Sequence, residues 1–580
     1  PVYRGIPDLR AMMAAGLNVE HHVIPGLYVS FIYNQAGSLV RWFRDTFEPG
    51  DFDDNGLEIQ ALVGVEQVTD RRGLGVNSAL PTTTNISGLL IDAHAPQPLE
   101  ITRAQPYALT EAAAETSASA LIYRITFDKP VTGVDPADFT LASTGTAIGT
   151  VSNVFGSGNA RLVVVTGVTG SGALRLDLKT AGTGIADTVG NPLAGGLATG
   201  PCYYHVGGTT VVAWGGNNLG QCGPANSGGT LPTPGLLNFG ALSGRTVAAI
   251  ATGGSHSLAL CSDGTLAAWG DNSSGQLGCG NLPVQTNVPT AVLQTDGLSG
   301  HTVIAIAAGS SHSLALTSDG QVFGWGSNVS GQLGRSDTSV NFETPIHLSQ
   351  LGALADKQVV AIAAGAHHSL ALTADGLLYA WGADNMGQLG NGYYGSSTTP
   401  YPVDQSGALS GKRLVALTAG DMHTLVLDAD GNVYTWGSNI EGELGNAGYS
   451  IEESPVPVDL SAAANGRSTT VVAVAAGAGF SLALAQDGAL YAWGNNSRQQ
   501  LGLDSYTPTY RTPVAVPQDN LGSDTIVALA AGAAHTLART DSGALYGWGD
   551  NDYAQLGGSL GYRVAQPTLL GTGALAGALI

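Results

Sequence analysis

An all-β chain, a seven-bladed β-propeller preceded by a smaller β-sandwich, is what the sequence predicts, on three observations. Trp-Gly pairs begin at Trp214, Trp269, Trp325, Trp381, Trp436, Trp493 and Trp548, in steps of 55, 56, 56, 55, 57 and 55 residues. So even a period marks stacked copies of one supersecondary unit. A second signature runs ahead of the pairs, clearest in Val359-Val-Ala-Ile-Ala-Ala-Gly-Ala-His-His-Ser-Leu-Ala-Leu-Thr-Ala-Asp-Gly376, which reads as strand, turn, strand and tight hairpin. Composition agrees: 83 of the 580 residues are Gly and only 11% are charged, as in a chain of many short strands and turns.

Residues 1–97 form an irregular N-terminal segment. Pro1 is not a translated start, so a processed or truncated chain is expected, and a missing leader says nothing about compartment. Asn34-Gln-Ala-Gly-Ser-Leu-Val-Arg-Trp-Phe43 reads as helical, with Leu39, Trp42 and Phe43 free to pack on a neighbouring domain. The longer string Val23-Ile-Pro-Gly-Leu-Tyr-Val-Ser-Phe-Ile-Tyr-Asn-Gln-Ala-Gly-Ser-Leu-Val-Arg-Trp-Phe-Arg-Asp45 resembles an internal piece of FGGY-type carbohydrate kinases. It lacks that family's nucleotide-binding halves and catalytic aspartate, so no kinase activity is implied. Asp51, Asp53 and Asn55, with Gly56, match the first half of a calcium loop, but Leu62 stands where the bidentate acid belongs. An acidic surface turn is the other reading. Residues 66–97 show no periodicity and read as a linker or cap.

Residues 98–200 alternate as short strands: Leu121–Phe127, Asp138–Leu141, Arg161–Val165 and Leu174–Leu178, separated by Gly-rich turns. That spacing predicts a β-sandwich. The strings Phe127-Asp-Lys-Pro-Val-Thr-Gly-Val-Asp-Pro-Ala-Asp-Phe-Thr-Leu141 and Gly184-Ile-Ala-Asp-Thr-Val-Gly-Asn-Pro192 resemble bacterial immunoglobulin-like repeats. The resemblance implies a surface or secreted protein in which the sandwich spaces or presents another module.

Residues 201–580 carry the repeat. Pro-Val segments at Pro400–Val403, Pro455–Val458 and Pro513–Val516 supply an outer strand, so each period yields about four antiparallel strands, one propeller blade. Small residues in Ala361-Ile-Ala-Ala-Gly365 suit the innermost strand, where blades converge. The Trp fills the wider gap between blades, each burying on the order of 150–250 Å². Asn217, Asn272, Asn328, Asn439, Asn496 and Asn551, with Asp384 in the fourth copy, are placed to fold their side chains onto the following turn. Gly220, Gly275, Gly331, Gly387 and Gly442 suit a positive φ in that turn, which Gln499 and Ala554 take over in the last two copies.

Together, Ala-Gly-x-x-His-Ser-Leu-Ala-Leu, Asp-Gly and Trp-Gly-x-Asn-x-x-Gly-Gln-Leu-Gly resemble the regulator of chromosome condensation repeat. The resemblance implies a seven-bladed ring closed by strands from both chain ends. In the first copy Tyr203-Tyr-His-Val-Gly-Gly stands in for the Gly-x-x-His strand, and the closing strand is expected near Ile580.

Chemistry is sparse. His256, His312, His368, His423 and His535 recur in register, each followed by Ser or Thr, and Phe480 takes their place in the sixth copy. A hydrolase would need one unique triad, so these are read as structural, with ring nitrogens bonded to neighbouring backbone. Glu20-His-His22 reads as surface, and Glu452-Glu453 and the Asp428/Asp430 pair as solvated turns. No metalloprotease, Cys-x-x-Cys or phosphate-loop motif occurs, so no enzyme and no cofactor is expected. Cys202, Cys222, Cys261 and Cys279 fall in the first two copies; Cys222 takes a Leu position, as a small buried residue would, and a disulfide is the alternative. Net charge is −22, which argues against nucleic acid as a partner. No apolar run reaches the roughly 18 residues of a membrane helix.

What varies between copies is the segment after Gln-Leu-Gly. It holds Phe342; Tyr393, Tyr394 and Tyr401; Tyr449, Glu452 and Glu453; Tyr506 and Tyr510; and Tyr562. Equivalent loops on a repeating scaffold would form one aromatic and acidic rim, suited to a protein partner or a glycan; packing of each Tyr on the next blade is the other reading. The function expected is non-catalytic binding or adhesion at a bacterial surface or in the secreted fraction. The family resemblance also implies two alternatives, an intracellular regulator of guanine nucleotide exchange type and a secreted enzyme inhibitor.

Overall fold

Short β-branched runs closed by Asp-Gly or Gly-rich turns produce antiparallel sheets throughout the chain. The computed structural model describes residues 95–105, 115–116, 118–188, 190–205, 211–223, 229–237, 239–281, 283–294, 297–348 and 351–571, and residues 18–24, 27–33 and 39–45 by backbone alone. Those last three segments are strands, Asn18–Ile24, Leu27–Tyr33 and Leu39–Asp45, in one antiparallel meander. Of the helix expected across Asn34–Phe43, the described part Leu39–Phe43 is instead a strand, with Phe31 opposite Trp42 and Ser30 opposite Phe43. Aromatic and β-branched side chains favour such cross-strand pairs over a helix. Asp51, Asp53 and Asn55 lie outside the described residues, as does the tail Gly573–Ile580.

Two four-stranded sheets face each other in the region after residue 95. One runs in the order Pro98–Gln105, Ala120–Phe127, Ala160–Thr169, Ile148–Phe155; the other Glu115–Thr116, Tyr203–His205, Gly172–Leu178, Phe139–Ser143. Period-two alternation sends Leu121, Tyr123, Ile125 and Phe127 inward against Leu174, Leu176 and Tyr203. The Tyr123 and Tyr203 rings meet edge-on at 5.1 Å, and their hydroxyls donate to Leu174 O and Ile122 O. Here the structure differs from the sequence expectation: Tyr203–His205 pairs with Gly172–Leu174 in this unit and is no part of the first repeat.

The repeat region forms six four-stranded sheets and, from Val211–Gly216 and Thr230–Leu237, one two-stranded sheet among the described residues. In the third, Val303–Ala308, His312–Thr317, Val322–Gly326 and Phe342–His347 pair in sequence order, with Ser313 opposite Trp325 and Phe323 opposite His347. Successive strands reverse, so the first turn and the long third loop of every sheet lie on one face of the propeller. The second turn and the connection to the next sheet lie on the other. We call these the loop face and the hairpin face.

The outward side of the Pro98–Gln105 sheet rests on the hairpin face. Ile122, Phe155, Leu162 and Val164 belong to the same buried cluster as Val360, Leu409 and Leu414. Asn153 Nδ2 donates to Ser318 O at 2.9 Å, and Gln105 Nε2 to Val415 O at 2.8 Å. Burial of four such side chains contributes about 1.5–3 kcal/mol each. Among the described residues no element of the sandwich covers the loop face.

Candidate functional site

The residues that repeat are spent on one hydrogen-bonded circuit. Each Trp indole donates to the backbone carbonyl of the Gln or Glu in the turn after the preceding Trp-Gly: Trp269 to Gln221, Trp325 to Gln276, Trp381 to Gln332, Trp436 to Gln388, Trp493 to Glu443 and Trp548 to Gln500, at 2.8–3.0 Å. Trp214 donates to Gln555 O at 2.8 Å, joining the first sheet to the last. The same carbonyls accept the hydroxyls of Ser257, Ser313, Ser369, Thr424, Ser481 and Thr536.

Those hydroxyls in turn bond the histidines of the preceding sheet: His256 Nε2 to Ser313 at 2.9 Å, His312 to Ser369 at 3.0 Å, His368 to Thr424 at 3.2 Å and His423 to Ser481 at 3.0 Å. The expected backbone partner is thus replaced by a hydroxyl of the next blade. With the hydroxyl hydrogen given to a carbonyl, Nε2 carries the imidazole proton. Such a hydroxyl bridges two blades and is no nucleophile. The four Nδ1 atoms are buried without a partner. Burial pushes His256, His423 and His535 down to about 4 and His312 and His368 to about 3. Phe480 fills the equivalent place in the sixth sheet, and Thr536 still donates to Gln500 O at 3.0 Å. A Cβ on Gly309 would stand 2.2 Å from the His312 ring, which is why the signature reads Gly-x-x-His.

The side chains this circuit leaves free stand on the loop face. Of twenty exposed large apolar side chains among the described residues, eleven lie in its turns and loops. Tyr393, Tyr394, Tyr449, Tyr506 and Tyr562 are among them, Tyr506 being 91% exposed. Six more were not singled out by the sequence reading: Val284, Val329, Val340, Met422, Ile440 and Tyr553. Val329, Ile440 and Tyr553 occupy the variable positions of Asn-x-x-Gly, a departure from the repeat that the sequence does display.

Three expected rim residues are placed otherwise. Phe342 and Tyr510 pack partly into the apolar clusters between blades. Tyr401 stands in the outermost strand Ser397–Pro402, opposite Ala380, on the side of the ring. Glu452 and Glu453 are half-buried at the start of Glu452–Pro457. Glu452 accepts Asn446 Nδ2 at 3.1 Å, and Glu453 bonds the Tyr394 hydroxyl, raising its pKa. Asp428, expected as a solvated turn, is fully buried and bonds Asn432 and Tyr434.

Three arginines on this face are engaged internally, while Arg335 is exposed. Arg511 lies 3.8 Å from the Tyr449 ring centroid and donates to the carbonyls of Asn439, Gly448 and Ile440. Arg498 pairs with Asp550 and Asp552, and Arg563 donates to Ser497 O. Asp337, Asp421 and Asp504 are exposed beside them. Among the described residues no three His, Cys, Asp or Glu side chains are grouped to hold a metal, no disulfide joins the four cysteines, and no helix is long and apolar enough to cross a membrane. Cys222 is buried and bonds the carbonyls of Trp214 and Gly216.

Comparison with known proteins identifies the repeat. The RCC1-like domain matches residues 204–415, and the regulator of chromosome condensation (RCC1) repeat matches residues 430–484 and 487–539, and in a second form 414–443, 471–500 and 526–555. The E3 ubiquitin-protein ligase HERC2 of Homo sapiens is 35% identical over 366 residues, 62% of this chain and 7% of HERC2. The ultraviolet-B receptor UVR8 of Arabidopsis thaliana is 32% identical over 356 residues, 60% of this chain and 75% of UVR8. Among solved structures, human WBSCR16 has a TM-score of 0.54 at 24% identity, covering 62% of this chain and 94% of that one. Prp20p of Saccharomyces cerevisiae has a TM-score of 0.53 at 24% identity, covering 62% and 85%. This chain therefore spans a small part of HERC2 and three quarters of UVR8, and it belongs to the regulator of chromosome condensation (RCC1) repeat family.

Proposed function

We propose that the chain is a non-catalytic protein-binding module whose seven-bladed propeller takes its partner on the loop face, with an immunoglobulin-like sandwich as spacer on the opposite face. The observation that carries the reading is the gathering of eleven exposed large apolar side chains on the one face the sandwich leaves open. Aromatic and aliphatic anchors ringed by polar groups are what a protein interface uses. The net charge of −22 favours a partner with a basic surface. HERC2 and UVR8, related through this same repeat region, support a regulatory role resting on protein contacts.

Secretion or display at a bacterial surface rests on the sandwich's resemblance alone, and fractionation of the source cells tests it. The regulator of guanine nucleotide exchange type is the second reading; nucleotide release from a small GTPase would establish it. For the binding face, a photo-crosslinker at position 440 or 553 on the loop face, compared with position 377 on the hairpin face, gives the direct test. Adducts to one protein from 440 and 553 alone are expected; adducts from 377 alone would overturn the assignment.

A further inference from the structure

One of the seven loops on this face is fastened by a different group. In five of the other copies the Asn three residues after Trp clamps its loop from both ends of the amide. Its Oδ1 accepts the N–H five residues on, as from Leu333 to Asn328 at 2.9 Å and from Leu501 to Asn496 at 3.2 Å. Its Nδ2 donates into the variable segment. Asn328 reaches Arg335 O and Asp337 O, Asn496 reaches Ser505 O and Thr507 O, and Asn551 reaches Gly557 O and Gly561 O, all at 2.7–3.1 Å.

The fourth copy has Asp384. Its Oδ1 accepts Leu389 N–H at 3.0 Å, as an Asn would. Its Oδ2, standing where the others carry NH₂, is buried and has no hydrogen-bond partner, and the residue is wholly excluded from solvent. An ionised carboxylate has only acceptors to offer loop carbonyls, whereas a protonated one regains a donor at the same atom.

We propose that Asp384 is a proton-operated latch on the loop that presents Tyr393 and Tyr394: protonated, it fastens the loop as Asn does elsewhere, and ionised, it releases it. The regulation rests on the loop face being the binding site. The groups around the latch push the same way. Burial first, then the Glu453 carboxylate on the neighbouring outermost strand, raise Asp384 to about 6 against the N–H groups of Leu389 and Gly395, the latter bonded at 3.3 Å to the Asp384 main-chain carbonyl in either protonation state. Glu452 flanks Glu453, and the Tyr394 hydroxyl of the loop itself is hydrogen-bonded to Glu453. With its pKa raised on folding, Asp384 contributes stability that is complete below about pH 3.8, its unfolded value, and lost as pH rises through about 6. Tyr393 and Tyr394 are thus held for binding in mildly acidic surroundings and loosened above them.

The test is hydrogen exchange of the peptide spanning 390–397 at pH 5.0 and 7.5, corrected for intrinsic rates, in the parent and in Asp384→Asn, which copies the other blades. The parent's protection should fall at least about tenfold on going to pH 7.5, a change of about one pKa unit in free energy, while the variant holds within about twofold. An equal response in both proteins, or none in either, would overturn the latch. Recovery of the parent's protection at pH 7.5 on adding millimolar Ca²⁺ would overturn it in favour of a cation site. No partner takes part, so a failure here is separate from a failure of the binding face.

Discussion

A buried imidazole with one nitrogen bonded and the other facing no acceptor is a neutral group that cannot be charged without breaking something. His256, His312, His368 and His423 are in that state, and His535 shares their lowered pKa. Between pH 6.5, their ordinary value, and about 4 the unfolded chain binds protons that the folded chain refuses. Stability complete above pH 6.5 is therefore lost as pH falls toward 4, by up to about 1.4 kcal/mol per pH unit for each His. The urea midpoint should drop steeply over that window, and His312→Phe, which copies Phe480, should make the drop shallower. An unchanged slope in the variant would contradict the account. Gln499 and Ala554 hold φ of +64° and +58° where five other copies have Gly. Ala554→Gly should accordingly raise stability by about 1 kcal/mol, measured as a higher denaturation midpoint. The repeat shows that His and Ser recur together in sequence. That His256, His312, His368 and His423 each bond the Ser or Thr 56 to 58 residues further on, in the next blade, is a property of the stacked sheets and invisible to local reading.

Each blade is legible because its signature residues serve contacts that recur in every copy. Trp-Gly is an example: Gly382 has φ +108°, and a Cβ there would stand 2.5 Å from His367 O. Gly411 has a similar positive φ of +70° with nothing nearby. Gly382→Ala should cost about 2 kcal/mol more than Gly411→Ala, the excess measuring the close approach. In the sandwich, the strands with strict alternation were readable, whereas Pro98–Gln105 and Ile148–Phe155 were not. Those two strands fully bury only Ile101 and Arg103 in the one and Phe155 in the other, so neither a clean alternation nor an apolar run marks them. The rim was half legible. Tyr506 and Tyr562 are exposed as the loop reading expects, but Tyr510 and Phe342 sit at strand starts, where the neighbouring blade covers them. Nothing in an isolated loop sequence separates the two cases.

At the scale of the molecule, the sandwich packs on the hairpin face. Leu162→Asp with Val164→Asp places two charges in the buried seam, and should uncouple the units into two calorimetric transitions where the parent shows one. A single transition in both proteins would mean the seam carries little. The central claim is that the loop face takes a protein partner, and hydrogen exchange of the chain alone and with its crosslinked partner tests it most directly. Protection confined to the loop segments 383–396, 438–451, 496–508 and 551–562 is the predicted result. Protection of the second-turn hairpins around 318–320, 374–376 and 429–431, with the loops unchanged, would contradict it.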